Sequence, residues 1–298
     1  MLLLKNLTKA FVVILTLSFF SAKASPLKIS ILQTIEHPAL DATRKGLLEE
    51  LPKLGYSDPT VDYQSAQGNA ALAVQIAQKF ISNSPDIIVA IGTKAAQAAM
   101  TATKESKIPV VFASVTDPLA AKLVTSLDTP TGNITGVSNF VAPEPQFKFF
   151  KKRLPSLKKL GIVYDPGEPN SVALNTMMDK AAKELGLEIV YAIAAKTSDV
   201  FAASQSLCGK VDAIFVNNDN TALSAFKSVV KAAQSCGIPA FVSDVDIVDQ
   251  GALAALGPDQ LDLGRQVARI VDKILKNPKA PFPAVEFPEK TEEVVQKP

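Results

Sequence analysis

The chain has 298 residues, 47% of them hydrophobic and 20% charged, with 31 basic against 29 acidic side chains. That length calls for two lobes or domains; the apolar fraction excludes a disordered chain, and a net charge of +2 with no dense basic block argues against nucleic acid as the main partner. With one histidine (His37), no tryptophan and two cysteines, no metal, cofactor or catalytic role is expected.

Taken in chain order, the first element is an address. Lys5 and Lys9 precede an apolar run from Ala10 to Phe20, and Ala22-Lys23-Ala24 supplies small residues at the A-x-A positions. This predicts a secretory signal peptide over 1–24, cleaved after Ala24. The run is near eleven residues, well short of the ~20 that a membrane span needs. Its removal takes away three lysines and no acid, leaving 28 basic and 29 acidic residues from Ser25 onward. The residue directly after the cleavage point is Ser25 and not a cysteine that could carry a lipid, so the exported form is expected in a periplasm without a membrane anchor.

Strand-length apolar runs then alternate with segments of helical period. Strands are predicted at Lys28–Thr34, Thr60–Tyr63, Asp86–Ile91 and Ile108–Ala113, with helices over Pro38–Leu54 (stopped by Gly55), after Asn69, and from Thr93. A second series follows Pro143-Glu144-Pro145: strands at Leu160–Tyr164, Leu187–Ile193, Ala213–Val216, Ala240–Val242 and Ala252–Leu256, and helices over 170–185 and 261–275. The strands are continuously apolar, which fits parallel sheets covered on both faces. The fold class is therefore α/β, with two doubly wound, Rossmann-like lobes and a cleft between them. Lobe 1 is expected over 25–140 plus about 252–278, and lobe 2 over 141–251 plus about 282–298. Hinges are expected near 138–143, 249–252 and 278–282, and an edge strand at 284–287.

Ligands in open α/β sheets bind at the carboxyl ends of strands, and polar residues cluster there. The first lobe offers Thr34, Glu36 and His37, then Gly92 and Thr93, then Val115, Thr116 and Asp117; the second offers Asn170 and Ser171, then Asn218, Asp219 and Asn220, then Asp244. Hydroxyls and helix N-termini on one side suit a carboxylate, assigned to Thr93 and Thr116. Acids on the other suit an ammonium, assigned to Asp219 with Asp244. An apolar ligand side chain is placed near Phe112, Phe140 and Tyr164. Each of these loops also reads as a helix cap, so the zwitterion site rests on all of them sharing one edge of both sheets.

Three features stand apart. His37 reads as a loop-fixing hydrogen-bonding group rather than a catalyst. Cys208 and Cys236 occupy equivalent places in consecutive β-α units, either as a disulfide or as two half-buried thiols. Lys148, Lys151, Lys152, Arg153, Lys158 and Lys159 form a basic run that reads as a solvated helix face, with docking to a membrane partner as the alternative.

Several stretches occur in a familiar order: Glu36-His37-Pro38-Ala39-Leu40-Asp41, Ile91-Gly92-Thr93, Val110 to Pro118 (VVFASVTDP), Gly132 to Ser138 (GNITGVS) and Asn217-Asn218-Asp219-Asn220. Over about 27–280 the chain resembles the TrpX/YtrF-like family of ABC transporter substrate-binding proteins. The resemblance implies a type I periplasmic-binding-protein fold with three hinge crossings and delivery of a small ligand, often an aromatic or hydrophobic amino acid, to an ABC permease and its ATPase. The family's binding loops match Gly92 and Thr93, Val115 to Pro118, Asn170 and Ser171, and Asp219 and Asn220. At Asn139, also a candidate contact, many relatives carry an acid. A monomer that closes on its ligand is expected. A sugar or nucleoside binder, or a sensor addressing a membrane receptor, are the competing readings.

Overall fold

The computed structural model describes residues 26–297; the predicted leader over 1–24 and its cleavage point lie outside the described residues. One sheet contains β1 (Lys28–Gln33), β2 (Thr60–Ser65), β3 (Ile87–Ile91), β4 (Val110–Ala113) and β5 (Ile134–Val137) in the order β2-β1-β3-β4-β5. All its pairings are parallel. The other contains β6 (Lys159–Tyr164), β7 (Glu188–Ile193), β8 (Ala213–Val216), β9 (Ala240–Val242), β10 (Ala254–Pro258) and β11 (Thr291–Val295) in the order β11-β10-β9-β8-β6-β7. Only its β10–β11 pairing is antiparallel. Read from β7, the second sheet repeats the strand order of the first.

Nine helices flank the sheets among the described residues: α1 (Pro38–Glu50), α2 (Ala70–Ser82), α3 (Thr93–Ala102), α4 (Pro143–Arg153), α5 (Pro169–Leu185), α6 (Val200–Gln205), α7 (Asn220–Ser224), α8 (Phe226–Ser235) and α9 (Gln260–Lys276). In the first lobe α1 and α9 pack on one sheet face and α2 and α3 on the other. In the second, α4 and α5 oppose α6 and α8. The two-sided cover explains why β3, β4 and β8 are buried at every position. Among the described residues no helix is long and apolar enough to cross a membrane.

The structure revises several boundaries. The expected helix over Pro38–Leu54 ends at Glu50 and tightens into a 3-10 turn, Leu51–Leu54, because Pro52 has no N–H to continue it. Strand β5 lacked a sequence assignment; its four residues include Gly136, where any Cβ would collide with the Phe112 carbonyl. The lobe boundary at 252 is also corrected. Strand β10 belongs to the second sheet, and the chain crosses to the first lobe between Pro258 and Gln260. The predicted edge strand is a single bridge, Glu286 to Val137, on the first sheet. The last crossing therefore lies between Glu286 and β11 rather than at 278–282.

Helices α1 and α9 approach closely through paired glycines. A Cβ on Gly264 would be driven into the Thr43 carbonyl, and one on Gly46 into the Leu261 carbonyl. Cys208 and Cys236 form a disulfide, Cα to Cα 5.2 Å, joining the turn after α6 to the end of α8.

Two outcomes follow from this packing. Gly264→Ala should destabilise the chain by about 1–3 kcal/mol through overpacking, read as a lower urea midpoint with unchanged slope. Reducing the disulfide, which closes a span of 28 residues, should remove about 3 kcal/mol, read by comparing melts with and without reductant.

Candidate functional site

The order of both sheets reverses beside their first strand, between β1 and β3 in one lobe and between β6 and β8 in the other. Such switch points open a crevice at the strand ends. In the first lobe that crevice carries Thr34 to His37 after β1 and Gly92 to Lys94 after β3. In the second it carries Asp165 to Ser171 after β6 and Asn217 to Asn220 after β8. The two crevices face and touch each other.

Side-chain contacts join the lobes at several points among the described residues. Lys94 Nζ stands 2.8 Å from Glu168 Oε1 and 4.0 Å from Asp165 Oδ2. Glu168 Oε2 accepts from Asn220 Nδ2 at 2.6 Å. With its amide donating there, Asn220 presents Oδ1 to His37 Nε2 at 3.3 Å. His37 must then carry its proton on Nε2, which leaves Nδ1 as an acceptor. Beside this chain, Asn218 Nδ2 donates to Thr116 Oγ1 at 3.3 Å, and Thr116 donates to Asn139 Oδ1 at 3.0 Å. At the second crossing, Gln260 accepts from Thr43 and Ser114 of the first lobe and donates to Asp244 of the second.

Most predicted residues lie at these strand ends, in different roles. Gly92 has φ +90°, and a side chain there would strike Thr34 Oγ1, which accepts from the Ala95 amide. Thr93 is buried at the start of α3. Asn170 donates to the Asn218 carbonyl, and Ser171 to Asn217 Oδ1. Asn139 lies on the first hinge crossing, buried.

Other assignments change. Asp219 was expected to meet an ammonium, but its Oδ1 accepts from Ala222 N and its Oδ2 from Asp165 N, so it braces α7 against the loop after β6. Asp117 caps the turn at Leu119 and Ala120, and Val115 is core. Glu36 is exposed and accepts from the Tyr63 hydroxyl. Phe112 lies wholly in the first lobe's core, while Phe140 and Tyr164 are half-buried against the second.

Lys94, Asp165 and Glu168 were missed as site residues. One signal was available: a lysine in the first turn of a helix opposes the positive end of its dipole, and so calls for a partner from elsewhere in the fold.

Among the described residues, five buried polar atoms at these strand ends have no hydrogen-bond partner: His37 Nδ1, Asn170 Oδ1, Asn217 Nδ2, Ser243 Oγ and Asp244 Oδ2. Buried polar groups are nearly always hydrogen-bonded, and five of the eight exceptions among the described residues fall at these strand ends. The first lobe contributes one acceptor, His37 Nδ1, and the second contributes acceptors and donors, which suits a polar guest with groups of both kinds. No cluster of metal-ligating side chains occurs among the described residues.

Burial sets the titration of three site groups. It lowers His37 from the ordinary 6.5 to about 4, against an opposing pull from Asn220 and Asp41. It raises Asp219 from 3.8 to about 7, opposed by the Asp165 amide. Asp244 likewise rises to about 7, through burial and then repulsion from Asp246. The two kinds of shift act in opposite directions on stability. Unfolded histidine takes its proton near 6.5, so stability from neutral His37 is lost as pH falls toward 4. The folded carboxyls keep their protons longer than the unfolded ones, so their contribution is lost as pH rises from about 4 through about 7.

Comparison with known proteins bears on what the cleft holds. A family model described as ABC transporter substrate binding protein matches residues 28–290. A tyrosine-binding protein of Clostridioides difficile (strain R20291) is 37% identical over 251 residues, 83% of this chain and 72% of that protein. A crystal structure of an ABC domain from Streptococcus pneumonia in complex with L-Trp superposes with a TM-score of 0.87 at 32% identity, covering 91% of this chain and 92% of that one. The ligand-free, open structure of a substrate binding protein with adhesive properties from Clostridium difficile has the same coverage and 35% identity, yet a TM-score of 0.69. At near-equal identity the chain superposes more closely on the L-Trp complex than on the open form. More distant solute-binding structures, at 14–18% identity and TM-scores of 0.62–0.68, share the type I periplasmic-binding-protein fold.

Asp244→Asn tests the buried acid at the second crossing. Relative to the parent chain it should gain on the order of 3 kcal/mol between pH 4 and pH 8, measured by urea unfolding at both values; a pH-independent difference would show that Asp244 ionises normally in the fold.

Proposed function

The chain belongs to the ABC transporter substrate-binding protein family, and on that premise we propose that it captures an aromatic amino acid between its lobes and presents it to a membrane permease. The carrying observation is the set of unpartnered buried polar atoms at the strand ends of the two lobes, His37 Nδ1 from the first and Asn170 Oδ1, Asn217 Nδ2, Ser243 Oγ and Asp244 Oδ2 from the second. Relatives described as a tyrosine-binding protein and as an L-Trp complex support the aromatic class. Thr93, Asn139, Asn170 and Asn220 are retained from the sequence reading as ligand contacts, and His37 joins them.

Binding is a population shift. The empty lobes swing about the crossings at 138–142, 258–260 and 287–290, and a ligand favours closure only by its extra affinity for the closed state. The closed surface is what a permease and its ATPase partner would read. No step makes or breaks a covalent bond. The predicted leader and the Cys208–Cys236 bridge support a place outside the cytoplasm.

The test is thermal unfolding of residues 25–298, first unfolded and refolded to strip carried ligand, against amino acids, sugars and nucleosides. A ligand at a hundredfold excess over Kd adds about 2.7 kcal/mol, several degrees in a chain of this size. The expected result is a shift with L-Tyr or L-Trp and none with the sugars. A shift confined to a sugar or nucleoside overturns the ligand class.

A further inference from the structure

The ion pair between the lobes is built in an unusual place. Lys94 sits in the first turn of α3, where the helix dipole repels a cation, and Glu168 is the N-cap residue of α5. Each belongs to the switch point of its own sheet. Glu168 is 1% exposed, and the Lys94 side chain 16%. A buried carboxylate of this kind needs a counterion, because one left alone destabilises the site strongly.

We infer, building on the amino-acid reading above, that Lys94 and Glu168 are a charge-exchange pair that restricts the cleft to ligands carrying both an ammonium and a carboxylate. The ligand's ammonium takes the place of the Lys94 ammonium against Glu168 and Asp165. Lys94 turns to the ligand's carboxylate, beside the amides that open α3. One ion pair becomes two, and no charge is left without a partner.

The mobility of the members fits these roles. Glu168 is held by Asn220, itself held by His37; Asp165 is held by the Gly167 amide and the Thr221 hydroxyl. The acceptors are fixed by the fold. Lys94 is a point charge on a flexible four-carbon stem, able to swing without disturbing the helix that carries it.

Selectivity follows from charge balance. An amine lacking a carboxylate displaces Lys94 from Glu168 and strands it at the positive end of a helix. An acid lacking an amine draws Lys94 away and leaves Glu168 buried and bare. Only the zwitterion avoids both penalties.

The experiment is calorimetric titration of the refolded chain with three sets of probes: L-Trp and L-Tyr; tryptamine and tyramine; indole-3-propionate and 3-(4-hydroxyphenyl)propionate. The parent chain should bind one of the amino acids at least about thirtyfold more tightly than its single-charge analogues. Lys94→Met should weaken the amino acid by about thirtyfold or more while tightening the matching amine, since Glu168 has lost its resident cation. Glu168→Gln should weaken the amino acid and tighten the acid. If Lys94→Met keeps the parent's preference for amino acid over amine, the exchange pair is overturned while the amino-acid reading stands. If the parent chain binds neither L-Trp nor L-Tyr, both fall. Should either single variant fail to fold, the triple variant Lys94→Met/Asp165→Asn/Glu168→Gln removes the cation together with both of its acidic partners and leaves no unpaired charge in the cluster. It should bind amino acid, amine and acid within about threefold of one another, and a surviving zwitterion preference in it overturns the inference.

Discussion

Two sheets of identical winding order face each other at the points where that order reverses, and the rest of the site depends on this placement. A parallel strand delivers its carboxyl end to one edge of the sheet, and the helix that follows begins there with unsatisfied amides. At a switch point neighbouring connections leave to opposite faces and open a gap. With two gaps opposed, polar side chains from the loops after β1, β3, β6 and β8, among them His37, Lys94, Glu168 and Asn220, meet across the lobes. Lys94, Glu168, Asn220 and His37 are far apart in sequence, and their contacts exist only because the switch points meet.

The fold was legible because its signals are local and repeated. Apolar runs such as Ile87-Ile88-Val89-Ala90-Ile91 are long enough to be strands and too uniform to be half-exposed, and the alternation with helices then dictates parallel sheets. The errors came where the signal was weak or non-local. Strand β5 contains Thr135 and Gly136, too weak an apolar run to be assigned from sequence, although neighbours on both sides bury it. Which sheet receives β10 depends on pairing with Phe241 and Val242, and no pattern in Ala254–Pro258 encodes that partner.

The site was legible by position and less so by role. Strand ends could be listed from the periodicity, and Thr93, Asn170 and Asn220 do lie at them, with Asn139 on the first crossing. Role depends on which hydrogen-bonding groups are already committed, and that is a property of the folded loops. Asp219 looks free in sequence, but two backbone amides claim it. Glu168 sits between prolines and a glycine and looks like a turn residue, yet its carboxylate faces across the cleft.

Among the described residues the interlobe contacts are individually modest: Lys94 paired with Glu168 and, at 4.0 Å, Asp165, a histidine–asparagine contact at 3.3 Å, an asparagine–threonine contact at 3.3 Å and the Gln260 cluster at the crossing. Hydrogen bonds between neutral groups contribute about 1 kcal/mol each once exchange with water is counted. A buried ion pair returns little beyond the desolvation of its own members. Contacts of this size hold the lobes together only modestly, which suits a carrier that must open to take up its ligand. A closure far more stable than the open state would hold the lobes shut against entry. A far less stable one would draw so heavily on ligand affinity that capture from dilute solution would fail. The unpartnered donors and acceptors at the strand ends tilt this balance. They weaken the closed form when it is empty, and a guest that satisfies them strengthens closure where the empty protein lacks it.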